Sequence, residues 1–156
     1  MVYCCGKVAS VREKLNGRKS RAESLRSVLN DHEMLEEFIG GFNRLFAFGA
    51  TTIPREAADA TREFSQKLIG HFAYEEQHIF PALLARLSGP DVVQVISELR
   101  EEHDDLEKRA KQLSKMLSAT NLADQNANSL RKAMEDLGER MQRHSAKENE
   151  LFPSLL

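Results

Sequence analysis

Apolar side chains recur every three or four residues along four long stretches of this chain, a spacing typical of helices buried on one face. No strand-like alternation of useful length appears, so the sequence predicts an all-α protein. The predicted buried positions, helix by helix, are Leu25, Val28, His32, Leu35, Ile39, Phe42 and Phe46; Phe64, Leu68, His71, Glu75 and His78; Val92, Ile96, Leu99, His103, Leu106, Ala110, Leu113 and Leu117; and Leu130, Met134, Leu137, Met141, His144, Glu148, Leu151 and Leu155.

Short stretches rich in polar residues, Gly or Pro separate the four predicted helices. They lie near residues 51–54, 88–91 and 121–128. Because short links between long helices make consecutive helices antiparallel, the pattern predicts an up-down-up-down antiparallel four-helix bundle over residues 20–156. Residues 1–19 are predicted to form a short N-terminal extension, since Asn16 and Gly17 separate them from the first long helix.

Four of the five histidines are followed four residues later by a glutamate, and residues four apart share a helix face. The pairs form a tandem repeat, whose two histidines are 39 residues apart in the first half (32 to 71) and 41 apart in the second (103 to 144). Counted from the predicted turns at about 1.5 Å per residue, all four histidines reach one layer of the bundle. The pairs are His32–Glu36, His71–Glu75, His103–Glu107 and His144–Glu148.

Two of these glutamates, Glu75 and Glu148, continue the buried stripes of their helices. An ionised carboxylate is costly to bury there unless a positive charge compensates it. Neither Lys nor Arg interrupts the stripes near this layer, which leaves a bound metal as the counter-charge. The predicted metal ligands are His32, His71, Glu75, His103, His144 and Glu148.

The remaining acidic and histidine candidates are placed outside this ligand set. The stripes of the first and third helices pass through Leu35 and Leu106, which moves Glu36 and Glu107 to the flank, beside the ligands or in solvent. His78 has no counterpart in the repeat and is expected to be partly exposed. A role for His78 as a fifth imidazole stays open.

The number and type of the predicted ligands favour two metal ions. Four imidazoles and two carboxylates are too many for a closed tetrahedral zinc site and too rich in nitrogen for calcium or magnesium. Two bridged first-row ions fit, with iron as the leading candidate. A ferritin-like site would need two Glu-x-x-His elements, and only Glu75 and His78 have that spacing, so the sequence disfavours it.

Composition sets the broad class. The 156 residues make one domain, and their 22 basic and 24 acidic side chains, for a formal net charge of -2, give no sign of a nucleic-acid or membrane-surface footprint. No apolar run is long enough to span a membrane, and the first ten residues lack the apolar core of a signal peptide. A cytoplasmic protein is expected, with no site assigned to Cys4 and Cys5.

The motif order His, His-x3-Glu, His, His-x3-Glu resembles that of the hemerythrin-like, HHE cation-binding family over roughly residues 25–156. The resemblance also rests on Phe-Pro pairs after both Glu75 and Glu148 and on Glu102 before His103. It implies a non-haem di-iron centre in a four-helix bundle, with two iron ions bridged by Glu75 and Glu148 and by an oxo group. The family includes oxygen carriers, oxygen and iron sensors, and proteins implicated in repairing iron–sulfur centres or handling nitric oxide and peroxide.

One departure from the oxygen carriers bears on function. Their third helix has a His-x3-His element, whereas position 107 here is Glu107, and the four-histidine layout is similar to the repair-type members. It implies an open position on each iron. We expect a di-iron protein that reacts with or senses oxygen, peroxide or nitric oxide, with such a small molecule as its partner. The alternatives are an iron- or oxygen-sensing or iron-donating module without turnover, and a structural bundle with incidental histidines. Whether the protein is an enzyme stays open.

Overall fold

Four long helices make up the part of the protein that the structure describes. The computed structural model describes residues 25–41, 44, 55–87, 89–118 and 127–155. Helix α1 covers residues 25–41, and α2 (Arg55–Tyr74) continues through a π-helical turn (Glu75–Ile79) into the short α3 (Phe80–Arg86). Helix α4 (Pro90–Ser118) and α5 (Ala127–Leu151) follow, and a 3-10 turn (Phe152–Leu155) ends the described chain. No strand occurs among these residues, so the all-α prediction is confirmed.

Some predictions fall outside the described residues. They are the extension over residues 1–19 with Cys4 and Cys5, and the buried positions Phe42 and Phe46. No helix of the described chain is both long enough and apolar enough to cross a membrane.

Neighbouring helices are antiparallel, because the contacts between them run in opposite directions along the two sequences. The contacts are Asp31–His71, Met34–Lys67 and Phe38–Phe64 between α1 and α2; Phe72–His103 and Ser65–Ala110 between α2 and α4; Glu102–His144, Asp105–Arg140 and Arg109–Asp136 between α4 and α5; and His32–Glu148 and Ile39–Gly138 between α1 and α5. The helices therefore close a ring in the order α1, α2, α4, α5, which is the predicted up-down-up-down bundle.

Among the described residues, a polar layer divides the core into two apolar clusters. One cluster contains Leu35, Ile39, Phe64, Leu68, Phe72, Leu106, Ala110, Leu113, Leu117, Leu130, Met134, Leu137 and Met141, together with Ala58. The other contains Leu25, Val28, Ile79, Phe80, Leu83, Ile96, Leu99, Phe152 and Leu155. On each long helix the histidine lies where the chain passes from one cluster to the other, so apolar side chains cover the histidine layer on both sides.

A π-helical turn interrupts the second helical segment at the layer of the histidines. Proline lacks an N–H and its ring crowds the carbonyl four residues earlier, which for Pro81 belongs to Gln77 inside the π-helical turn. The backbone widens there, and the N–H of Phe80 donates to the carbonyl of Glu75, five residues back. Such turns are common at functional sites, and this one begins at a predicted metal ligand.

Candidate metal centre

The six predicted ligand side chains meet in one buried layer. His32 comes from α1, His71 from α2, His103 from α4 and His144 from α5, and each is at most 5% exposed. Glu75 and Glu148, one helical turn after the second and fourth histidines, are fully buried at 0% exposure. We call His32 and His71 the first pair and His103 and His144 the second pair.

Glu75 lies between the two pairs. Its Oε1 atom is 3.3 Å from His71 Nε2 and 3.8 Å from His32 Nε2. Its Oε2 atom is instead 3.4 Å from His103 Nε2. The two oxygens of this carboxylate thus serve different histidine pairs.

Glu148 repeats this arrangement from the opposite side of the layer. Its Oε2 atom is 3.0 Å from His32 Nε2 in the first pair. Its Oε1 atom is 3.1 Å from His144 Nε2 and 3.8 Å from His103 Nε2 in the second pair. Candidate ligand atoms of each pair, together with both carboxylates, lie within 4.8 Å of one another, so the structure contains two overlapping four-residue clusters that share Glu75 and Glu148.

Most of these inward-facing atoms are not satisfied by hydrogen bonds. All four oxygens of Glu75 and Glu148 lack a partner in hydrogen-bonding geometry among the described residues, as do the Nε2 atoms of His32 and His71. Buried polar groups are rarely left in that state, because each one costs free energy. A cation between the carboxylates would satisfy them, and the donor set therefore fits a metal.

The outward-facing Nδ1 atoms of three histidines contact acidic side chains on the preceding helix of the bundle. The Nδ1 atom of His103 is 2.8 Å from Glu76, that of His144 is 3.0 Å from Glu102, and that of His71 is 3.4 Å from Asp31. An Nδ1–H that donates to a carboxylate leaves the Nε2 lone pair free for a metal and fixes the ring.

The two buried carboxyl groups have opposite pKa shifts. Burial raises the pKa of Glu75 to about 8, an effect that the neighbouring carboxylate of Glu148 reinforces. Burial also acts to raise the pKa of Glu148, but contacts with three imidazoles outweigh it and hold that pKa well below its usual value. Without metal at neutral pH, Glu75 is largely protonated and Glu148 is ionised.

The imidazoles also differ. Burial, and then the charge of His32, lowers the pKa of His71 to about 4. Burial acts on His103 in the same direction, but the three carboxylates around it outweigh burial and raise its pKa to about 9. The raised pKa values of His103 and Glu75 favour protons on these two groups in the metal-free layer, and a metal would replace them.

The candidates that the sequence placed outside the ligand set lie away from the layer. Glu36 is exposed on α1, and the carboxylate of Glu107 is 2.6 Å from Lys111 Nζ, one turn along α4. His78 is exposed in the π-helical turn and packs against Tyr74, so it does not follow the buried stripe. The π-helical turn explains the exposure of His78. It has more residues per turn than the regular α-helix for which the stripe was drawn, so His78 is rotated away from the buried face.

Sequence reasoning missed the acidic residues that contact the histidines from outside. Asp31, Glu76 and Glu102 are each adjacent in sequence to a predicted ligand, whereas Glu36 and Glu107 were considered for this position. The available signal was an acidic residue directly beside each of three ligands.

A family model described as the hemerythrin HHE cation binding domain matches residues 23–155. The chain belongs to this family. The family resemblance predicted from the sequence is thereby confirmed. Comparison with curated proteins and with solved structures gives no significant match. Membership in the hemerythrin HHE family indicates cation binding, and the two buried His/Glu clusters could hold a metal ion.

Proposed function

We propose that the buried layer holds two iron ions. His32 and His71 would be terminal ligands of one ion, and His103 and His144 of the other, with Glu75 and Glu148 bridging them. The observation that carries this proposal is that each of the two buried carboxylates turns one oxygen to each histidine pair. A single ion would lie at one histidine pair. The carboxylate oxygens turned to the other pair would then have no metal charge beside them.

The chemistry of the donors supports iron. Each ion would receive two imidazole nitrogens and one oxygen from each glutamate, and sites with two histidines and carboxylate oxygens plus open positions suit non-haem iron. Four protein donors per ion leave positions for small molecules. Bound iron would supply a redox-active Lewis acid at this place. We propose that the protein reacts with or senses oxygen, peroxide or nitric oxide there.

The chain's own residues would prepare this site in three ways. The outer carboxylates orient the imidazoles through Nδ1–H, as the 2.8 Å contact of Glu76 with His103 illustrates. The two apolar clusters exclude bulk water from the layer, which strengthens every electrostatic interaction inside it. Glu75 and His103 hold protons that leave when a metal enters.

The decisive experiment is the iron content per chain after anaerobic loading, combined with ultraviolet–visible spectra before and after air is admitted. Two irons per chain, with charge-transfer bands of coupled ferric ions in air, are expected. The variant Glu148→Gln should lose this stoichiometry, whereas His78→Ala, which changes an exposed histidine outside the layer, should keep it. One iron or none in a folded wild-type protein would refute the dinuclear centre.

The alternative function is a binding module that senses iron or oxygen, or donates iron, without turnover. The six proposed ligands come from four separate helical segments. A bound metal would therefore link these segments and change the stability of the bundle, which favours this alternative. Binding to the folded state alone stabilises it by RT ln(1 + [L]/Kd). A sensor is expected to melt at a much higher temperature when loaded and to show no steady consumption of peroxide or nitric oxide. Sustained consumption would instead support an enzyme.

A further inference from the structure

The two halves of the bundle repeat the six inner residues but not their surroundings. In the tandem repeat, His32 corresponds to His103 and Glu75 to Glu148. His32 and His103 are therefore equivalent positions, one in each histidine pair. Their outer contacts differ in two respects.

His103 is held on three sides. Its Nδ1 atom is 2.8 Å from Glu76 Oε1. The ring of Phe72 stacks on it with centroids 3.9 Å apart and planes inclined by 12°, and Phe80 stacks at 5.4 Å and 16°. The imidazole is thus fixed in both position and orientation.

His32 has neither kind of support among the described residues. Its Nδ1 atom is buried without a hydrogen-bond partner, and its ring contact is the edge of His71 at 4.8 Å. The repeat shows why. Asn149 follows Glu148 where Glu76 follows Glu75, and Ser145 follows His144 where Phe72 follows His71. The carboxylate and the aromatic ring that hold His103 are replaced by an exposed amide, Asn149, and a small buried hydroxyl, Ser145.

The other two histidines, His144 and His71, show the same difference, because the one in the second pair has the shorter outer contact. In the second pair, His144 Nδ1 is 3.0 Å from Glu102, a normal hydrogen-bond length. In the first pair, His71 Nδ1 is 3.4 Å from Asp31, at the long limit. Both outer contacts are short in the second pair, whereas the first pair has one long contact.

The pockets beside the two pairs also differ. A pocket of about 430 Å³ between α1 and α2 is lined by His71 itself, together with Asp31, Lys67 and Tyr74. The larger pocket beside the second pair, about 530 Å³ between α4 and α5, is lined by Glu102 but by neither histidine of that pair. His71 therefore borders a surface pocket, which neither histidine of the second pair does at the pocket between α4 and α5.

We propose that the two metal positions are unequal, in an order set by these surroundings. The position at His103 and His144 fills first and binds its ion more tightly, and the position at His32 and His71 holds the second, exchangeable ion. The inference rests on the proposed dinuclear centre. Its physical basis is that outer carboxylates raise the basicity of a ligating imidazole and fix its orientation, and loss of one costs about 10- to 100-fold in metal affinity.

The test is an anaerobic titration of the full chain with Co²⁺ in competition with a chromophoric chelator. Two binding steps are expected, with dissociation constants that differ by about tenfold or more. The variants Glu76→Gln and Asp31→Asn form a matched pair, because each neutralises one outer carboxylate whose side chain is about 40% exposed (40% and 42%). Glu76→Gln should weaken the first step by about 10- to 100-fold, and Asp31→Asn should weaken the second step and leave the first unchanged.

When the protein binds Co²⁺, the outcomes distinguish the ranking from the dinuclear centre. Two steps of equal affinity, or a first step sensitive to Asp31→Asn and not to Glu76→Gln, would overturn the ranking while two ions are still bound. A single ion sensitive to Glu76→Gln would uphold the preference for the second pair and refute the dinuclear centre. Failure to bind Co²⁺ would overturn both. Circular dichroism of each variant confirms that it is folded.

Discussion

The imidazole of His103 lies flat against the ring of Phe72, with centroids 3.9 Å apart. Phe72 belongs to one apolar cluster and Phe80, which also stacks on His103, to the second. The histidine therefore contacts both halves of the core. We expect metal affinity and core packing to be coupled at this position.

Replacing Phe72 by Leu should separate the two roles. Leucine keeps most of the buried volume, so a loss of about 1 kcal/mol in the free energy of unfolding is expected. The flat support of His103 disappears, and the affinity of the first bound metal should fall. The control is Phe38→Leu, which removes a comparable stacked pair with Phe64 outside the histidine layer. Urea denaturation and chelator competition measure the two effects, and equal metal affinities in both variants would contradict the coupling.

Gly138 marks a close approach of α5 to α1. A Cβ added there would lie 2.8 Å from Ile39 Cγ2, so Gly138→Ala must displace the side chain or the helix. Overpacking of this kind costs about 1–3 kcal/mol, which exceeds or cancels the gain of up to about 1 kcal/mol from the better helix propensity of alanine. A lower melting temperature is expected.

Gly70 provides the matched control for Gly138. A Cβ at Gly70, on α2, would meet no heavy atom within 4 Å. Only the helix propensity acts there, so Gly70→Ala should raise stability by up to about 1 kcal/mol. Thermal melts of the metal-free variants test the opposite signs, and a stabilising Gly138→Ala would show that the two helices are not in close contact.

Replacing Glu75 or Glu148 by glutamine should abolish the binding of two ions. The two substitutions should, however, affect the stability of the metal-free protein differently. Glu75, with a pKa of about 8, is largely protonated at pH 7, and glutamine resembles a protonated glutamate in shape and charge. Glu75→Gln should therefore stabilise the metal-free protein at pH 7, because glutamine mimics the protonated side chain without the cost of protonating a carboxyl group whose unfolded pKa is 4.5.

Glu148→Gln should be the more destabilising change without metal. The pKa of Glu148 is held well below the usual value, so this carboxylate is ionised. The substitution therefore removes a negative charge that contacts the charged His103. Breaking a buried ion pair on one side costs about 3–5 kcal/mol. Urea denaturation in the presence of a chelator at pH 7 measures both variants. Equal losses would contradict the different protonation of the two carboxyl groups.

The sequence was sufficient for the bundle and for the layer of six residues, because both follow from helical period and residue counting. The stripes correctly identified the fully buried Leu68, Leu99 and Leu137, and the distances from the turns put four histidines at one level. Their assignment as metal ligands stays a prediction. These inferences require only that each helix is regular and that consecutive helices are antiparallel.

The outer contacts of the histidines could not be obtained in this way. Asp31, Glu76 and Glu102 contact histidines of another helix, so the relevant distance depends on how adjacent helices are rotated about their axes. On their own helices they occupy flank positions that solvated charges also occupy. The π-helical turn could not be predicted either. It widens the helix locally and so moves His78 out of the stripe, whereas the stripe was drawn for a regular α-helix.

The stability of the metal-free protein should fall as the pH rises from about 6.5 to about 9. Folding raises the pKa of Glu75 from 4.5 to about 8 and that of His103 from 6.5 to about 9. A group with a raised pKa stabilises the folded state fully below its unfolded pKa, and the contribution is lost as the pH passes through the folded value. His71, whose pKa is lowered to about 4, acts oppositely and only below about 6.5.

Metal should remove this decline, because ligation keeps Glu75 and His103 deprotonated whatever the pH in this range. The free energy of unfolding, measured by urea denaturation with chelator or with bound metal at pH 6.5, 7.5 and 9, should fall in the first series and stay nearly level in the second. Glu75→Gln removes one of the two titrating groups and should make the metal-free decline shallower. A metal-free protein that became more stable towards pH 9 would mean that these two protons are not held in the buried layer.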